Sequence, residues 1–89
     1  MRRIKFVKIN NFAKEKYEIY YNERRNAIGA ITLADPVKRV WKIKPFFTLL
    51  VDRQTIMRKE FFDMSKAANM LVDLYEEMNS WEASLFQFD

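Results

Sequence analysis

The stretch Lys38-Arg39-Val40-Trp41-Lys42-Ile43-Lys44 decides the reading of this chain. Large apolar and cationic residues alternate along it. Side chains on an extended strand point to opposite faces at every step, so the alternation predicts a half-buried strand. Arg39, Trp41 and Ile43 fall on one side, and Lys38, Val40, Lys42 and Lys44 on the other.

The same pattern recurs towards the N-terminus. Arg3 to Ile9 and Tyr17 to Tyr21 read as strands, with Tyr17, Ile19 and Tyr21 opposed to Glu18 and Tyr20. Asn10-Asn11 and Asn22 to Asn26 read as turns. Ala27 to Leu33 is an apolar strand, and Gly29 inside it signals a bulge or a close backbone approach. Ala34-Asp35-Pro36-Val37 is a proline turn.

Beyond Lys44 the period is ambiguous. Phe47, Leu49 and Val51 alternate, whereas Phe46, Leu49, Leu50, Arg53, Ile56, Met57 and Phe61 fit a helical stripe after Pro45. Two strands over 46–62 are the preferred reading, with a helix as the alternative. Ser65 to Asn79 is a clear amphipathic helix with Ser65 as its N-cap. It carries Ala67, Leu71, Leu74 and Met78 on one face, and an apolar tail follows over 80–89. The expected fold is therefore α+β: an antiparallel β-meander of four to five strands, then one long C-terminal helix packed on one face.

Eighty-nine residues, 49% apolar and 31% charged, suit one folded domain over 1–89. No Ser/Gly linker, repeat or low-complexity segment divides it. No apolar run reaches the length of a transmembrane span, and the basic start lacks the apolar core of a signal peptide. A cytoplasmic setting, bacterial or host, is the expectation, with no membrane contact.

The chain contains neither Cys nor His. Thiolate and Ser-His or Cys-His nucleophiles are thereby excluded, and zinc would have carboxylates alone as ligands. One glycine cannot build a phosphate-cradling loop. The sequence reads as a non-catalytic binding module, with no metal, cofactor or small-molecule substrate expected.

The charge is divided. Residues 1–59 hold fifteen Lys and Arg against five acids, a net +10, and residues 60–89 hold Lys66 against seven acids, a net −6. A +10 segment with interleaved aromatics suggests a phosphate-backbone partner, DNA or RNA. The candidate contacts are Arg2, Arg3, Lys5, Lys8, Tyr20, Arg24, Arg25, Lys38, Lys42 and Lys44. Tyr20 is the ring placed for exposure, whereas Tyr17, Tyr21 and Trp41 fit the core. A second surface is suggested at Trp81, Leu85, Phe86 and Phe88, which suit a protein partner or a homodimer.

Over roughly Ala27 to Asn79, the strand-strand-strand-helix order resembles the small three-stranded DNA-binding domains of phage and transposon integrases. In those, a sheet face enters the DNA groove and a helix backs it. The resemblance covers order alone, and no functional position is carried over. Size and lack of motifs also resemble the accessory proteins of phages and plasmids, which bind and inhibit host proteins.

Overall fold

Four strands, β1 (Ile4–Ile9), β2 (Lys16–Tyr21), β3 (Gly29–Asp35) and β4 (Val40–Pro45), precede two helices, α1 (Arg53–Arg58) and α2 (Met64–Leu85). This computed structural model describes residues 2–9 and 14–85, with side chains through Trp81. The strands lie in chain order in one antiparallel sheet, β1-β2-β3-β4. The architecture is the expected α+β meander with a C-terminal helix on one face. The Asn10-Asn11 turn lies outside the described residues.

Strand register sorts the side chains. Ile4, Phe6 and Lys8 stand opposite Tyr21, Ile19 and Tyr17. Tyr17 and Ile19 stand opposite Ile31 and Gly29, and these lie opposite Ile43 and Pro45. All of these point to one face, the side on which α2 packs. There Ile19, Ile31, Trp41, Ile43, Leu71 and Val72 are fully buried. α2 turns Ala67, Ala68, Leu71, Val72 and Tyr75 into this layer, spaced so that each falls on one helix stripe.

Gly29 permits the close helix–sheet contact. A Cβ at this position would lie 2.8 Å from the Lys44 carbonyl oxygen and 2.9 Å from Leu71 Cδ2. The glycine therefore marks a close approach. The bulge lies elsewhere, where the β3–β4 register shifts between Leu33 and Asp35.

Several boundaries differ from expectation. Lys38 and Arg39 belong to the turn over 36–39, and β4 starts at Val40. One carboxylate causes this: Asp35 Oδ1 accepts from the backbone N–H groups of Val37 and Lys38, both at 3.1 Å. Arg39 then takes a left-handed backbone (φ 58°) to re-enter the sheet.

Residues 46–62 are not two strands. Asp52 caps a short helix, accepting from the Gln54 N–H at 3.2 Å and the Thr55 hydroxyl at 2.9 Å. Only Phe61 returns to the sheet, exchanging backbone hydrogen bonds of 2.6 and 3.0 Å with Trp41. α2 is capped by Asp63, whose Oδ1 accepts from the Ser65 N–H at 2.7 Å, so Ser65 lies inside the helix. The helix runs through Asn79-Ser80 to Leu85, and the first part of the expected tail is helical.

Candidate nucleic-acid interface

The face of the sheet turned away from α2 carries the residues that alternate with the core. Lys5 stands opposite Tyr20, and Ile9 opposite Lys16. Lys16 stands opposite Thr32, Thr32 opposite Lys42, and Ala30 opposite Lys44. Four lysines from three strands thus share one face. Glu18 is the acid among them, and its Oε1 accepts from the Tyr20 hydroxyl at 3.4 Å.

At the β1-β2 end this face opens into a cleft of about 670 Å³. It is lined by Arg3, Ile4, Lys5 and Val7 from β1 and its approach, Tyr20 from β2, and Glu23, Arg24 and Arg25 from the turn after β2. That turn is tight. Asn22 and Glu23 both have positive φ (51° and 60°), and the Arg24 N–H donates to the Tyr21 carbonyl at 3.3 Å. These two left-handed residues reverse the chain just after β2, at the start of the connection to β3.

Two of the cleft's cations are engaged. Arg3 pairs with Glu23 at 2.5 Å, and the Arg24 guanidinium lies 5.1 Å from the centre of the Tyr75 ring. Among the described residues, Lys5 and Arg25 form no ion pair.

The ten residues singled out in the sequence therefore divide. Arg3, Lys5, Tyr20, Arg24 and Arg25 gather round the cleft. Lys42 and Lys44 lie on the adjoining sheet face, but the Lys42 ammonium donates to the Arg58 carbonyl at 2.9 Å and secures the end of α1. Lys38 sits in the turn at the opposite end of the sheet and does not share a face with Lys42 and Lys44. Lys8 is exposed on the α2 side of β1, opposite Tyr17.

Arg2 leaves the basic surface altogether. Its guanidinium binds Asp73, lies 2.8 Å from Glu76 and donates to Asn69 at 3.2 Å. Asp73 first, and Glu76 with it, raise its pKa above the ordinary arginine value. The acidic outer face of α2 is thus partly neutralised from within the chain. Lys16 was not singled out, although the alternation of β2 places it with Glu18 and Tyr20.

Tyr17 lies in the core layer beside Trp41, ring centres 6.1 Å apart, and donates its hydroxyl to Glu15 at 2.7 Å. That hydrogen bond pushes the phenol pKa up, with burial adding to it.

Trp81 is 50% exposed on α2. The Leu85 side chain and the residues Phe86 and Phe88 lie outside the described part. No three acidic side chains converge on a metal-sized site among the described residues, and no described helix is long and apolar enough to cross a membrane.

No protein-family model, curated protein or solved structure matches the chain.

Proposed function

We propose that the chain is a non-catalytic domain that holds nucleic acid across its open sheet face and basic cleft, in the cytoplasm of a bacterial or host cell. The observation that carries this reading is the outer sheet face with Lys5, Lys16 and Lys44, together with the cleft that Lys5 shares with Arg3, Arg24 and Arg25. Phosphates suit such a surface, because their binding releases counterions and needs no named motif. Tyr20 lies between the lysines and the cleft, where its ring supplies a face for a base.

Fluorescence anisotropy with labelled duplex and single-stranded DNA and RNA tests the reading. With about four phosphates engaged, log K against log salt falls with a slope of about −3 to −4 on duplex DNA. Absent binding, or affinity indifferent to salt, overturns it.

A second reading is a protein-binding regulator of phage or plasmid type, acting through the end of α2. The half-exposed Trp81 favours it, since tryptophan is common at interface hot spots. Capture of host proteins by the intact chain, and loss of that capture in Trp81→Ala after nuclease treatment, separates it from the first.

A further inference from the structure

We propose that two copies of this chain pair edge to edge along β1, in antiparallel register centred on Phe6, to make one eight-stranded sheet.

The two edges of the sheet are treated differently. On the β4 edge, the Trp41 N–H and carbonyl are bonded to Phe61, and the Pro45 carbonyl accepts from Arg53 at 2.7 Å. Proline brings no N–H of its own. The β1 edge has no such cover: no described backbone or side chain bonds to it. β1 lacks proline and bulge, two of the devices that blunt an edge, and its two lysines, Lys5 and Lys8, point to opposite faces. α2 crosses β3 and β4, two strands in from this edge.

The direction of each backbone group on β1 follows from one bond. The Asn22 N–H donates to the Arg3 carbonyl at 2.9 Å, so Arg3 faces β2. In an antiparallel ladder the bonded residues alternate. Lys5, Val7 and Ile9 therefore bond towards β2, and Ile4, Phe6 and Lys8 turn their N–H and C=O groups outward.

A two-fold axis at Phe6 pairs Phe6 with its copy and Ile4 with Lys8 of the second copy. All six outward groups on each strand then find partners. Side chains keep their faces: the two Phe6 rings meet on the α2 side, and Lys5 lies opposite Val7. No lysine faces a lysine. Moving the axis to Lys5 sets two ammonium groups against each other, and moving it to Val7 sets Phe6 against Lys8. Phe6, 37% exposed at the rim of the core, gains cover from its own copy in the Phe6-centred register, without setting lysine against lysine. The contact is short, which places the dimer in the weak, reversible class. It stands independently of the nucleic-acid reading.

Sedimentation velocity on the full chain, over a concentration series up to about 1 mM, tests it. A reversible monomer–dimer equilibrium is expected. Phe6→Glu and Phe6→Lys each place like charges opposite one another and weaken self-association about tenfold or more, and mixing the two restores it. Lys8→Pro removes an outward N–H, leaves the β1–β2 ladder intact and also weakens the dimer, which covers the case of a Phe6 variant that does not fold. A wild-type chain that stays monomeric throughout overturns the proposal. So does undiminished dimerisation of Phe6→Glu, or a mixture that shows no recovery.

Discussion

Leu71 Cδ2 lies 2.9 Å from the point where a side chain on Gly29 would begin. The helix and the sheet are thus as close as a missing methyl group allows, and the Lys44 carbonyl closes the space from the β4 side at 2.8 Å. Gly29→Ala is expected to cost about 1–3 kcal/mol through overpacking, measured by urea unfolding. Adding Leu71→Ala clears only the helix side, so the double variant is expected to lose less than the two single losses combined.

Trp41 is the largest of the fully buried side chains, and its backbone also holds Phe61 to the sheet. Trp41→Ala is expected to destabilise by about 3–5 kcal/mol. Thermal unfolding by circular dichroism measures the loss.

Arg2 and Lys5 are three residues apart and are expected to behave oppositely. Lys5→Glu, in the cleft, lowers nucleic-acid affinity and makes the salt slope shallower by about one unit. Arg2→Ala leaves nucleic-acid affinity unchanged, since its guanidinium is committed to Asp73 and Glu76. These ion pairs are exposed, so the stability change is small. Anisotropy and urea unfolding on both variants separate the two roles.

Tyr17 is expected to ionise later than an ordinary tyrosine, because its proton is held by Glu15. A folded-state pKa above the unfolded one means that this contribution is fully present below the ordinary tyrosine range. It is lost as pH rises through the folded value. Ultraviolet titration of Tyr17 in the wild type and in Glu15→Ala measures the shift, and Glu15→Ala is expected to lower the Tyr17 value.

Alternation located β2 and β4, runs of β-type or apolar residues located β1 and β3, and the helical period located α2. Lys38 was assigned to β4 because it continues that alternation. What ends the strand is the Asp35 carboxylate, a capping interaction that hydropathy does not register. Over 46–62 the two periods overlap, and Asp52 tips the balance to a helix by capping it. The cleft was legible only in part. Arg3, Lys5, Tyr20, Arg24 and Arg25 could each be picked out by charge or exposure, but their meeting depends on the turn at Asn22 and Glu23. The removal of Arg2 from the basic surface was not legible, because its partners Asn69, Asp73 and Glu76 lie far along the chain.

The meander has one more consequence, for how the protein is made. Each strand pairs only with its neighbour in sequence, so the sheet can assemble hairpin by hairpin as the chain lengthens, closing no long loop. Its apolar face, with Ile19, Ile31, Trp41 and Ile43, lacks the α2 layer until residues 64–75 arrive. A nascent chain halted near residue 60 would present that face to its surroundings, so the window between completing β4 and docking α2 is when the protein is most exposed to aggregation.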